Sequence, residues 1–507
     1  MAKTDIELLK MNKFQRFGHN FVNFFKNFPK NFVKFWKNVG LWFKKAFFAF
    51  IGFFKDLWFT FTKGTWKTKV SYFVMGFGSF ARGQWLRGLL FLTFQVAFIV
   101  YMILFGGKYL AKLGSLGDYY NSYVDAAGNT RWYDNSFNIM LYGVLTLFFI
   151  VAFVVTWYFN VKQNKINDQI EADKRKITTT GDDLRAMVDK NFHTTLLALP
   201  TVGILLFTVL PIFFMILVAF TNYDGYHDPM AGQLFGWVGF ENFGKLFTWT
   251  GGNGSQFAMT FGQILLWTLV WAFFATFTNY FIGMVIAMLI NKKGIKLKKL
   301  WRTILVFSIA VPQFISLMFV SNMFSDSGII NGIYESIMTN IFHVAEVQPI
   351  PFWTNPWLAR VTVIIINIWI GVPYLMLVVT GILMNIPADL YESANIDGAN
   401  GFQQYTKITL PYMLFITGPY LLTSFTGNMN NFNVIYLLTG GGPNVQEYFG
   451  NAGKTDLLIT WLFNLAVNDS NYKLAAVIGI MVFIVVAGLS LVVYNLIPST
   501  RNEEGFQ

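Results

Sequence analysis

The stretch Tyr391–Pro411, YESANIDGANGFQQYTKITLP, decides how this chain is read. It is polar, has a glycine near its centre, ends at a proline and lies between two long apolar runs. Pro387, just upstream, suits the first turn of a helix. Asp389 and Glu392 follow it, where carboxylates complement the helix dipole. Gly398 is placed to end that helix in a left-handed conformation. Ala399–Lys407 reads as a second short helix, and Pro411 as the start of the next apolar run. Leu390, Ala394, Ala399, Phe402 and Tyr405 give the pair one apolar side. The residues alone leave two readings: a structured loop with no partner, or a projecting pair of short helices that docks on a soluble one.

The flanking sequence says what kind of chain surrounds it. Of 507 residues 54% are hydrophobic, 19% aromatic and only 13% charged, where a soluble domain carries about 25% charged residues. Eight apolar runs approach or exceed the ~20 residues that cross a bilayer as a helix. They are Gly88–Leu110, Phe137–Phe159, Thr194–Phe220, Phe261–Ile290, Thr303–Phe324, Val361–Ile386, Tyr412–Leu438 and Leu474–Ile497. The expected fold is all-α, a polytopic membrane protein of about eight transmembrane helices. Lys and Arg concentrate in 1–87, 161–193 and 291–302. The positive-inside rule then puts both termini, and the 391–411 stretch, in the cytoplasm of a multi-pass protein of the cell membrane. No cleavable signal peptide is expected at the N-terminus.

From Met1 to about Phe61 aromatic residues recur every three or four positions, with Lys26, Lys30, Lys34 and Lys37 on another face. That is an amphipathic interfacial helix for an anionic lipid leaflet. Membrane lipids are therefore the expected partner of this basic region, and nucleic acid is not, despite a net charge of +12. Three parts result: the interfacial Phe/Lys-rich region 1–87, two spans with a cytoplasmic linker at 88–193, and a core at 194–507 that holds the 387–411 loop.

Chemistry is marked by what the sequence lacks. There is no cysteine, hence no disulfide, thiolate metal site or thiol nucleophile. His19, His193, His227 and His343 have no ligand spacing. With Lys108 counted in the outer connection that follows the first span, the spans hold no Asp, Glu, Lys, Arg or His. A proton relay needs such groups within the membrane. Gly453-Lys454-Thr455 is the nearest approach to a phosphate-binding loop, but Tyr448 stands where its first glycine belongs. The chain is therefore expected to be non-catalytic, with its driving force supplied from outside. An ion-coupled or facilitative carrier acting alone, and a structural membrane protein, are the alternatives.

The spacing Glu392, Ser393, Ala394, Gly398, Ile408, Leu410, Pro411 resembles the E-A-A-x3-G-x9-I-x-L-P signature of importer-type ABC permeases, with Ser393 in place of an alanine. From about Thr194 onward the chain is similar to the MalF-type subunit of maltose and maltodextrin importers. The residues that carry this are Phe220–Tyr223 with Val238–Phe243, Trp369–Tyr374, Asn428–Phe432 and Leu437–Pro443. The large extracytoplasmic insertion of the enterobacterial forms is missing after Phe220. The resemblance implies the ABC importer permease fold and a coupling loop in which Glu392, Ser393, Ala394, Asp397, Gly398, Ile408, Leu410 and Pro411 meet an ATPase. It implies as partners a second homologous permease, an ATPase dimer that binds the ATP and Mg, and an extracellular sugar-binding protein, lipid-anchored in Gram-positive-like relatives. No cofactor is implied in this chain.

A sugar needs aromatic faces and hydrogen-bonding groups. Gly371 and Pro373 are expected to open the backbone of the sixth span beside Tyr374. Ser424, Asn428 and Asn431, spaced four and three apart, read as one helical face of the seventh. Amides in a span can equally be hydrogen-bonded to neighbouring helices. The resemblance implies an oligosaccharide site at Gly371, Tyr374, Ser424, Asn428 and Asn431. At Gly427 it implies the loss of an aromatic ring that stacks on the sugar in the enterobacterial form.

Overall fold

The computed structural model describes residues 37–496, except 39, 43, 46, 249–251 and 293. Most of the amphipathic stretch, up to residue 36, therefore lies outside the described residues. Residues 47–63 form one helix that exposes Phe47, Phe48, Phe50, Phe54, Trp58 and Phe59.

Among the described residues seven helices are long and apolar enough to cross a membrane: α1 (Trp85–Lys112), α2 (Ser136–Ala172), α3 (Phe192–Val218), α4 (Ser255–Asn291), α7 (Pro356–Leu383), the helical run Gly401–Thr439, and α11 (Tyr472–Leu496). An eighth is counted if the bent pair α5 (Lys298–Ala310) and α6 (Gln313–Met323) makes one span. That pair departs from the straight span expected over Thr303–Phe324: it turns by 90° at Val311–Pro312. Val311 adopts an extended ψ of 130°, which is what a following proline imposes on its neighbour. Two short strands, Ser122–Val124 and Thr130–Trp132, pair antiparallel between α1 and α2; the other regular elements are helical.

The chain forms two compact units. One comprises Met1–Leu110 with Val144–Ile204, the other Ala111–Gly143 with Leu205–Gln507. In the first, Asn160, Asn164 and Asn167 sit fully buried on one face of α2. Asn160 accepts from the Gly76 N–H at 3.0 Å, Asn164 accepts from Arg82 at 2.8 Å, and Asn167 donates to Gln84 at 2.9 Å. The Arg82 side chain is itself enclosed and pairs with Asp168 at 2.5 Å and Glu171 at 3.3 Å. A buried charge is tolerable when paired in this way.

The core of the second unit is two apolar clusters. One gathers Trp267, Trp271 and Ala275 of α4 with Val363 and Ile366 of α7. The other gathers Tyr280, Met284 and Ala287 of α4 with Leu375, Met376 and Val379 of α7. Between them, at mid-length of both helices, the apolar pattern stops: Thr276 and Asn279 stand on α4, Asn367 and Gly371 on α7. This polar belt is where the candidate site lies.

Candidate functional site: a mid-helix polar belt and a helical knob

The knob begins with α8, Ala388–Ile396, which Pro387 precedes at the cap position. Asp397 ends it, and Gly398 follows at φ 75°. The Gly398 N–H donates to Asn395 O at 3.1 Å and the Ala399 N–H to Ala394 O at 2.9 Å. These two bonds make a complete Schellman closure, which needs a left-handed residue at Gly398. A second helix starts at Gly401, capped reciprocally by Asn400 and Gln403. It is not the separate short helix expected at Ala399–Lys407. A π-turn at Tyr405–Thr409, containing Ile408, carries it without a break into α9, Leu410–Met429. Pro411 follows the π-turn directly, inside this continuous helix, where it supplies no backbone N–H to the ladder. Tyr391 and Thr409 share a hydroxyl–hydroxyl bond of 2.8 Å, and Gln404 donates to Asn395 at 2.6 Å, so α8 is pinned to the base of α9. Glu392, Ser393 and Asp397 are exposed, Ala394 is half-buried, and Ile396 and Phe402 are 87% and 75% exposed. Two bare apolar side chains on a polar turn leave a surface suited to a partner.

The belt brings together most of the expected solute residues and corrects the reason for two of them. α7 is unbroken through Gly371 and Pro373, so neither opens the backbone. Gly371 is instead a notch: a Cβ there would lie 2.2 Å from Nδ2 of Asn279. Tyr374, one turn on, is half exposed. The expected single helix over Tyr412–Leu438 is broken, because α9 ends at Met429 and α10 runs Phe432–Thr439. Asn431 therefore shares no helical face with Ser424 and Asn428; it caps α10 by accepting from the Val434 N–H at 3.4 Å. It still reaches Asn428, donating to its side-chain oxygen at 3.5 Å. Asn428 donates to Thr276 at 2.9 Å, and its backbone carbonyl takes the Trp271 indole N–H at 3.1 Å. Tyr420, one turn before Ser424 on α9, is partly buried against the second apolar cluster. Around Gly427 an added Cβ would meet nothing within 4 Å.

Sequence reading missed Trp271, Thr276, Asn279, Asn367 and Tyr420. The available signal was a polar group, Thr276, Thr278 and Asn279, in a largely apolar run. Asn279 and Asn367 are about 95% buried, and one polar atom of each, Oδ1 of Asn279 and Nδ2 of Asn367, has no hydrogen-bond partner.

At the opposite ends of the helices from α8, Asp224 pairs with Lys473 and with His227 at 2.8 Å, tying the connection after α3 to the start of α11. The glycine turn at 440–442 wraps a buried carboxylate, Asp456, which accepts from the Gly453 N–H at 2.8 Å and the Thr460 hydroxyl at 2.7 Å. Burial pushes this carboxyl up to about 6, against the lowering effect of those two donors and of Asn464.

Residues 279–502 match the family described as binding-protein-dependent transport system inner membrane component. The chain is 34% identical over 448 residues to the maltodextrin transport system permease protein MdxF of Bacillus subtilis, covering 88% of this chain and 98% of that protein. It is 32% identical to the galactooligosaccharides transport system permease protein GanP of the same organism, covering 85% and 97%. To MalF of Escherichia coli, a maltose/maltodextrin transport system permease protein, it is 36% identical over 260 residues, 50% of this chain and 48% of that one. The chain therefore belongs to the family of binding-protein-dependent transport permeases, as a multi-pass sugar ABC importer permease of the MalF/MalC type.

Proposed function

We propose that this chain is the permease subunit that carries maltodextrin-like oligosaccharides inward by alternating access, non-catalytic itself and driven by a separate ATPase dimer. It would work beside a second homologous permease and receive solute from an extracellular, lipid-anchored binding protein. Both termini and α8 would face the cytoplasm. The observation that carries the reading is the inner knob: α8, closed at Gly398 and pinned to α9, presents Ile396 and Phe402 to solvent on the expected coupling stretch. ATPase closure moves the permease only if it contacts two states differently, and α8 is the element offered for that contact. The solute would sit at the polar belt, between Tyr374, Ser424, Gly427, Asn428 and Asn431, at the mid-depth typical of transporter sites. Near-equal identity to MdxF and GanP makes the glycosidic linkage the open variable within the oligosaccharide class. The test is uptake of labelled maltodextrin and galacto-oligosaccharide into vesicles that contain the assembled transporter. ATP-dependent uptake of maltodextrin supports the reading. Uptake by this chain alone on an ion gradient overturns it.

A further inference from the structure

Resting on the solute site just proposed, we infer that Asn279 positions its α7 arm, and that position 371 is glycine because of Asn279, not because of the sugar. Asn279 is buried, and its amide nitrogen occupies the volume where a side chain at 371 would begin, 2.2 Å from the Cβ position. It forms no side-chain hydrogen bond among the described residues, and its oxygen is enclosed without a partner. Helix glue would show a bond across the interface. Here the amide acts as a spacer whose polarity is left unspent, in a belt flanked on both sides by apolar clusters.

Three residues earlier on the same face of α4, Thr276 holds Asn428. One face of α4 therefore sets both arms of the site: the α7 arm through Asn279 and Gly371, the α9 arm through Thr276 and Asn428. Asn279 is thus a positioning residue. Its size fixes how closely α7 approaches α4, and so the gap between Tyr374 and the Ser424–Asn431 wall. Asn367, one turn outward on α7 and also carrying an unpaired polar atom, lines the same seam.

The assembled, reconstituted transporter tests this with four proteins: wild type, Gly371→Ala, Asn279→Ala and the double variant. Co-purification of the partner subunits and basal ATP hydrolysis report assembly. The solute concentration at half-maximal uptake reports the site. Gly371→Ala should raise that concentration about tenfold or more, because overpacking a tight contact forces the helices apart. In the Asn279→Ala background the same alanine should cause no further loss. Asn279→Ser, smaller but polar, should rescue Gly371→Ala in the same way. An assembled double variant that is as impaired as the two single losses combined overturns the inference and returns Gly371 to direct sugar contact, leaving the proposed function intact. Absence of maltodextrin uptake by the wild type would instead count against that function.

Discussion

Gly398 gives the most direct handle on the inner knob. Its φ of 75° lies in the left-handed region, and an added Cβ would meet no atom within 4 Å. The cost of a side chain there is therefore a backbone cost alone, about 1–2 kcal/mol for an ordinary L-residue. Asparagine, which tolerates this conformation, should pay less. If α8 docks with its Schellman closure formed, that cost is charged to the complex. The affinity of the permease for its ATPase should then fall about 5- to 30-fold in Gly398→Ala, further in Gly398→Val, and least in Gly398→Asn. Titration of the ATPase onto nanodisc-embedded permease, read as Kd, measures the series. Alanine and valine variants within twofold of wild type would refute the reasoning, as would an asparagine variant as weak as valine.

Asn428→Leu should abolish uptake while assembly persists. Thr276→Val should reduce uptake less, and a double-mutant cycle should give a coupling of about 0.6–1.7 kcal/mol for their bond in stability. Unchanged uptake in Asn428→Leu reduces the amide to helix glue. Gly427→Trp fills open space and should lower half-saturation for short glucosyl oligosaccharides while weakening longer ones; competition uptake with chains of increasing length decides it. Asp456, raised from 3.8 to about 6 by burial, contributes stability that is fully present below its unfolded value and is lost as pH rises through about 6. Its contribution should favour pH 4 over pH 8 by up to about 3 kcal/mol. Thermal midpoints should fall across that window in wild type and fall less in Asp456→Asn; equal slopes in the two proteins would reject the assignment.

Hydropathy made the spans legible, because a run of twenty apolar residues has few other fates. It was blind to what interrupts them. The bend at Val311–Pro312 lies in a stretch as apolar as its neighbours, and the break at Asn430–Asn431 leaves the composition of Tyr412–Leu438 unchanged. The knob at 388–398 was readable through Gly398, whose conformation is a local property. Its fusion to α9 was not, since a π-turn has no composition of its own. Within the site, Tyr374, Ser424, Asn428 and Asn431 were placed by resemblance. Thr276 and Asn279 acquire meaning only from helices about ninety to 150 residues away, as does the Arg82–Asp168 pair, 86 residues apart. Gly371 was chosen for the wrong reason: a glycine's purpose depends on what faces it, and no single sequence prints that.

The uninterrupted helix from Gly401 to Met429 has one further consequence. At 1.5 Å per residue it is a rod about 43 Å long, with the knob at one end and Asn428 at the other. A tilt of about 10° about its inner end would sweep the far end through roughly 7 Å, more than one helical turn of 5.4 Å. Pro419 within it is one position where such a lever arm could flex, besides the π-turn at Tyr405–Thr409. The stiffness of that joint then decides how much of a push at the α8 end arrives at Asn428.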